Sequence, residues 1–265
     1  VPQRAEAAAR NPACFHFVSL ACDDSEPLSA LRAVRLERWL VVKRNDLKDM
    51  KEASASSSPG RSIKQQRSHK TYNALIATGF KLLEQRELDE IGIAELAKAA
   101  GYSVGAFYAR FRSKDEFFDA MVVRHMEQRT KDRNRLFAKA SDENLIDLYI
   151  RDLVRYYWKR RRFWRAAMIR SIRSPGFWEP LRLHGHALAQ LLIDRMSKQA
   201  GRPLSAVEQT NVRFAFQIAF GTINNAIINR PGPIMIGQAL FVANLARAFR
   251  LVADYDRIIG LKRRR

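Results

Sequence analysis

The stretch "IAELAKAAGYSVGAFYARFRSKDEFF", residues 93–118, limits what this chain can fold into more than any other. Ile93, Leu96 and Ala97 recur at the three- and four-residue spacing of one helix face. That helix has only about two turns, too few to persist alone in water, so it must dock on neighbours. Gly101 ends it, and Ser103 stands where a side-chain oxygen can cap the next helix, "VGAFYAR". Ser113 starts another: "SKDE" has the form of a capping box, with Glu116 three residues on. The apolar face of that helix carries Phe117, Phe118, Met121 and Val122. Upstream, Leu75, Ile76, Phe80, Leu82 and Leu83 mark a longer helix that starts near residue 63. Gly79 within it costs about 1 kcal/mol of helix propensity, a cost that a closely crossing helix would explain. Residues 63–125 therefore predict a four-helix unit with short connections.

A helix, a short helix, a glycine turn and a further helix make a helix-turn-helix pattern. In such motifs the helix after the turn enters the DNA major groove, about 12 Å wide. Val104, Gly105 and Ala106 are small enough for the backbone to approach a duplex. Tyr108 and Arg110 are long enough to reach phosphates or base edges, and Lys114 stands in the first turn of the next helix, where unpaired N–H groups favour an anion. The total charge of +20 agrees with a polyanionic partner. That excess sits mostly elsewhere: residues 126–265 hold 27 basic and 11 acidic side chains, whereas 63–125 hold 10 and 8.

The segment 75–122 resembles the DNA-binding domain of the TetR-type transcriptional regulators. The glycine-x-serine turn at Gly101 and Ser103, the Phe107–Tyr108 pair, Phe111 and the Ser113–Lys114 pair all fall in register. The resemblance implies that Ser103, Val104, Gly105, Ala106, Tyr108, Arg110 and Lys114 lie on or near double-stranded DNA, with Tyr108 and Lys114 holding phosphates. It also implies a divergent helical second domain that binds a small-molecule effector and forms a homodimer through its last two long helices. Three positions depart from the family's habit. Gly92 stands where a threonine or serine hydroxyl usually caps a helix and touches phosphate, Glu87 where glycine is frequent, and Gly79 where alanine is frequent.

Beyond residue 125 the pattern stays helical. Helices are expected over roughly 143–159, 162–171, 181–200, 205–229 and 234–255, with no strand-like alternation and no repeat. In "GRPLSAVEQ", Gly201 closes one helix and Ser205 with Glu208 opens the next through a capping box. The last two helices are in the place of the family's dimer helices. Their faces carry Phe214, Ile218, Ile227, Leu240, Leu245 and Phe249. Tyr156, Trp178, Phe216 and Asn225 are nominated for the effector, because aromatic density broken by isolated polar groups is the usual make-up of a small-molecule site. Asn224 and Asn225 interrupt an apolar helix, and buried amides need partners. The basic run "KRRRFWR", residues 159–165, reads as a solvated helix junction.

Residues 1–62 show no steady period. "SALRAVRLERWLVVKR" could form one amphipathic helix, and "KEASASSSPGRS" reads as a linker. Met50 precedes that linker, which makes residues 1–49 a candidate upstream extension. Cys14 and Cys22 form no CxxC pair, and His184 and His186, two apart, fall on different faces of a helix, so neither a metal nor another cofactor is expected. No apolar run reaches 18 residues, which excludes a spanning helix and fits a cytoplasmic protein. Neither a nucleophile triad, a phosphate loop nor an HExxH pattern offers chemistry to an enzyme.

The expected architecture is all-α: an extension and linker over 1–62, a helix-turn-helix DNA-binding domain over 63–125, a helical effector-binding and dimerisation domain over 126–256, and a basic tail over 257–265. The expected function is that of a repressor released from a near-palindromic operator by a small-molecule effector. A helical interaction protein that kept the fold without operator recognition, motivated by Gly92 and the modest charge of the small domain, is the alternative. A basic RNA-binding helical module is a third reading.

Overall fold

A computed structural model describes residues 59–261, and side-chain environments from residue 66 onward. The expectations for residues 1–58 and for the last four residues lie outside this range. Ten α-helices account for most of the described chain, and no strand occurs in it. They are α1 (Pro59–Leu83), α2 (Ile93–Ala99), α3 (Val104–Tyr108), α4 (Lys114–Lys139), α5 (Leu145–Lys159), α6 (Arg161–Arg173), α7 (Glu179–Ala200), α8 (Ala206–Ile228), α9 (Ala239–Val252) and α10 (Tyr255–Ile258). Single 3-10 turns at Leu88–Glu90 and Pro175–Trp178 join α1 to α2 and α6 to α7.

The small N-terminal unit closes around aromatic side chains. Phe107, Phe111, Phe117 and Phe118 are all buried, together with Leu75, Ile76, Leu83, Leu96 and Met121. Phe107 lies 5.3 Å from Phe111 and 5.6 Å from Phe117, ring centre to ring centre. At about 1.5–3 kcal/mol per fully buried large apolar side chain, this cluster holds two helices that could not stand alone. Gly79 sits where α1 crosses α4: a Cβ there would lie 2.6 Å from Phe117 Cζ and 3.0 Å from Met121 Sδ.

Several boundaries differ from those read in the sequence, each for a local reason. A helix begins at Pro59, inside the stretch taken as linker; the ring of a proline at the first helical position holds φ near the helical value. Helix α4 runs to Lys139, through the expected break at 125–126. Its second half, "EQRTKDRNRLFAK", is so polar that apolar spacing gave no signal. The two units thus share one continuous helix. The last long helix starts at Ala239 rather than 234, after a segment containing Pro231, Gly232 and Pro233, and ends at Val252. Asp254, at φ 50°, turns the chain into α10. Ile258 and Ile259 are buried there, so the packed body continues into the stretch assigned to the tail.

In the larger unit α5 lies against α9, α9 against α8, and α8 against α7. Ile146, Ile150, Leu153, Leu192, Val212, Ala219 and Ile223 form its interior. Gly201, at φ 66°, closes α7, and the Ser205–Glu208 capping box opens α8 as expected.

Candidate nucleic-acid interface

The turn before α3 is built from backbone hydrogen bonds. The Tyr102 N–H donates to the Ala97 carbonyl (2.9 Å) and the Gly101 N–H to the Lys98 carbonyl (3.0 Å), with Gly101 at φ 80°. This is a Schellman ending, which needs a left-handed residue and so favours glycine. Ser103 then caps α3, its Oγ accepting from the Ala106 N–H at 3.2 Å. A five-residue helix with one buried anchor, Phe107, must face the other way with the rest. Val104 is 39% and Tyr108 53% exposed, Gly105 is exposed, and Ala106 is half-buried.

Helix α4 begins beside it. Ser113 Oγ accepts from the Glu116 N–H at 3.1 Å. The return bond of the expected capping box is displaced by one residue: the Glu116 carboxylate accepts from the N–H of Arg112 at 2.7 Å, not from that of Ser113. Lys114 Nζ reaches back to the carbonyl of Asp89 at 3.3 Å. Partial burial lowers its pKa, and Asp89 and Asp115 oppose that shift. An incoming anion would meet this cation at a helix start, where N–H groups already favour negative charge.

Two expected contacts change. Arg110 does not extend outward. Its Nη1 donates to the Ala106 carbonyl at 2.8 Å and its Nε to the Ser68 carbonyl at 3.3 Å. Helix α3 ends after Tyr108, so its last carbonyls lack intrahelical partners, and a guanidinium nearby satisfies one of them. Gly92 is the N-cap of α2 in extended backbone (φ −75°, ψ 146°), with open space where a Cβ would be. The position would accept a hydroxyl residue, but this chain supplies none.

The run read as a solvated junction, residues 159–165, binds the small unit to the large one. Arg162 Nη1 donates to the Glu84 carbonyl at 2.6 Å, Arg165 pairs with Glu87 at 3.0 Å, and Lys159 stands 3.7 Å from Glu84. Further along α6, Arg170 meets Asp115 at 2.9 Å and Asp119 at 3.4 Å on α4. Glu87 explains its own departure from glycine: it accepts from Arg165 and forms a capping box with Glu90 on the 3-10 turn. Sequence reasoning missed this clasp. Its only signal was one basic run and one acidic loop, 78 residues apart.

The effector nominations do not gather into one pocket. Tyr156 is half-buried against the core, hydrogen-bonded to His125, with the Arg129 guanidinium 4.1 Å above its ring; burial pushes its pKa up to about 12. Phe216 is core, 4.9 Å from Phe249 and 5.8 Å from Tyr149. Asn225 is exposed on α8 and bonded to Asn229 at 2.7 Å, and Trp178 is half-buried in the second 3-10 turn. A cleft of about 390 Å³ lined by Trp158, Ala226, Arg230, Ile234 and Met235 contains none of the four.

The dimer nominations divide as well. Leu245, Phe249 and Ile227 are buried within the protomer, because α8 and α9 turn those sides toward α5. Phe214 (50% exposed), Leu240 (56%) and the half-buried Ile218 face outward, joined by Val207, Ile228 and Leu251. Among the described residues no group of three or more His, Cys, Asp or Glu side chains is placed to hold a metal, and no helix is long and apolar enough to cross a membrane.

Residues 75–121 match the family described as bacterial regulatory proteins, tetR family. A 47-residue stretch is 45% identical to an uncharacterized HTH-type transcriptional regulator, YwcC, of Bacillus subtilis, covering 18% of this chain and 21% of that protein. A 57-residue stretch is 46% identical to the HTH-type transcriptional repressor NemR of Escherichia coli, covering 22% and 29%. The chain thus spans under a third of the length of these curated relatives. The fold is similar over a longer range to a tetR-family transcriptional regulator from Streptomyces coelicolor. The TM-score is 0.53 at 18% identity, covering 72% of this chain and 86% of that one. The match at residues 75–121 falls on the turn, the capped short helix and the start of the long helix that follows, so it is this unit that is similar to the tetR family of bacterial regulatory proteins.

Proposed function

We propose that this protein is a homodimeric, sequence-specific DNA-binding regulator of transcription, a repressor released from a near-palindromic operator by a small-molecule effector. The observation that carries the DNA-binding part is the exposed face of α3. Val104, Gly105 and Tyr108 stand outward on a short helix anchored by Phe107, and the N-terminus of α4 with Lys114 lies alongside. Val104, Gly105 and Ala106 read bases, while Tyr108 and Lys114 hold phosphates. Ser103 sets the helix start. Arg110 supports α3 from behind instead of reaching the duplex.

The apolar stripes on α8 and α9 support self-association. Val207, Phe214, Ile218 and Ile228 follow one side of α8, and Leu240 and Leu251 one side of α9. Two such pairs meeting across a two-fold axis make a four-helix seam that sets the spacing of two reading helices on a symmetric site. The clasp between α6 and the 84–87 loop gives an effector in the larger unit a mechanical route to the reading head. The relative NemR carries the name of a transcriptional repressor, which favours repression over activation.

Selection of random duplex DNA by the purified chain, read by sequencing, tests the proposal. The expected result is a short, near-palindromic motif enriched over RNA and over unrelated duplex. Failure to enrich any duplex sequence would refute it in favour of a helical interaction protein, and a preference for RNA in favour of an RNA-binding module.

A further inference from the structure

A cluster of polar side chains lies inside the larger unit, away from the DNA-facing side. Arg129 and Arg133 come from α4, Tyr149 and Asp152 from α5, Trp164 from α6 and His184 from α7. Arg129 and Tyr149 are buried, at 9% and 3% exposure, and Trp164 likewise at 3%. The carboxylate here, Asp152, is already shared: it takes a hydrogen bond from Arg129 at 2.9 Å and another from Arg155 at 3.2 Å. Of the four buried side-chain polar atoms without a protein partner among the described residues, three are in this cluster: Arg133 Nη1, whose Nε and Nη2 bond Asn134, the Tyr149 hydroxyl and Trp164 Nε1; the fourth is Asn224 Oδ1 on α8.

All three are hydrogen-bond donors, and two of them can do nothing but donate. A buried donor without an acceptor costs free energy, so the cluster asks for acceptors from outside the protein. Its charge asks for the same. Arg129 and Arg133 both lie close enough to Tyr149 and His184 to influence their ionisation. His184 is held neutral, its pKa lowered to about 3 by burial and then by the two arginines. Burial and Arg129 likewise lower the pKa of Arg133. Trp164 stacks flat on Tyr157 at 4.2 Å and meets His125 edge-on at 5.0 Å, so the donors are set among aromatic surfaces that suit an apolar body.

We propose that this cluster receives the acidic group of the effector, and that the effector is an apolar carboxylic acid. A carboxylate only accepts, offers about four lone-pair directions and neutralises the arginine excess. One water accepts at most two hydrogen bonds and brings no charge. The inference rests on the effector reading above and specifies its ligand.

The test uses the full chain with benzoate, octanoate and oleate, each beside its methyl ester. Melting temperature and release of the selected DNA are both measured. At least one acid raises the melting temperature and its ester does not. Arg133→Met and Tyr149→Phe weaken that acid roughly 10- to 100-fold. Without ligand Tyr149→Phe melts at or above the parent temperature, because it removes a buried hydroxyl that has no partner, whereas Arg133→Met also gives up the bonds of Nε and Nη2 to Asn134 and is read by its loss of acid binding. The proposal is overturned if no acid binds, if esters bind as well as acids, or if Tyr149→Phe melts lower without ligand, which would mean that its hydroxyl was already satisfied. An acid that binds with these variant effects but leaves DNA bound upholds the site and refutes the effector reading.

Discussion

Gly79→Ala isolates how tightly the small unit is packed. Helix propensity alone favours alanine by about 0.8–1 kcal/mol in the middle of α1. Against it stands a Cβ placed 2.6 Å from Phe117 Cζ and 3.0 Å from Met121 Sδ. A methionine end can swing aside, but the Phe117 ring is held by Phe107 on one side and by Phe111, edge-on at 5.2 Å, on another. Overpacking of this kind costs about 1–3 kcal/mol, so the net expectation is a loss of about 1 kcal/mol. In urea titrations the midpoint should fall while the slope is unchanged. A melting temperature lower by about 2–4 °C should accompany it for a chain of this size. Phe117→Leu removes the ring edge that clashes. It costs stability in the parent, yet Gly79→Ala should be neutral or favourable on that background, with a coupling of about 1 kcal/mol or more. If Gly79→Ala raises the urea midpoint of the unaltered chain, the crossing is not tight and the argument for glycine there fails.

Three further outcomes can be measured. Tyr108→Phe and Lys114→Ala should each weaken binding to all duplexes, leave helical content alone, and shallow the salt dependence by roughly one unit of slope; unchanged affinity in both would remove them from the interface. Leu240→Glu and Phe214→Glu should shift the protein toward monomer in sedimentation and lower operator affinity with the reading head untouched; dimers persisting in both variants would place the seam elsewhere. Stability should fall as pH drops from about 6.5 toward 4.5, because burial lowers the pKa of His125 and His184 in the folded state while the unfolded chain takes up protons near 6.5. The slope should approach about 1.4 kcal/mol per pH unit for each histidine. His184→Gln should remove one histidine's share, and urea midpoints flat across that window would contradict the burial of both.

The small N-terminal unit was legible because its signals are local. Gly101, Ser103 and Ser113 act on N–H and C=O groups within a few residues, so their types and spacing imply their geometry. Phe107 against Tyr108 was legible for the same reason: adjacent positions on a five-residue helix cannot both point inward. Arg110 was not legible. Whether a guanidinium reaches outward or back to the Ser68 carbonyl depends on a residue 42 positions away. Where the nominated dimer and effector residues would lie was not legible for a related reason. Apolar spacing on α8 and α9 marks two faces at once, and only the position of α5 shows that Leu245 and Phe249 belong to the inner one. Phe216 and Asn225 lie nine residues apart on α8, close to half a helical turn out of phase, so one is core and the other surface.

The surplus of positive charge in the larger unit gains a meaning from where its arginines end. Several do not face solvent as free cations. Arg162 and Arg165 hold the 84–87 loop, Arg170 holds the start of α4 through Asp115 and Asp119, Arg129 is buried, and Arg133 is half-buried with Nη1 turned away from solvent. Half-exposed pairs of this sort contribute only about 0.2–1 kcal/mol each, so the clasp is a poor source of stability. It is better placed as a joint. Helix α6 carries Trp164 at the interior cluster on one side and Arg165, the next residue, at Glu87 on the other. Any displacement of α6 by a ligand at Trp164 therefore reaches the loop before α2 within one residue. Helix α4 offers a parallel path, from Arg129 and Arg133 back to Lys114 at its start, along about 22–29 Å of continuous helix. Both paths end beside α3, so an effector bound at the proposed interior site would act on α3 from two sides without touching it.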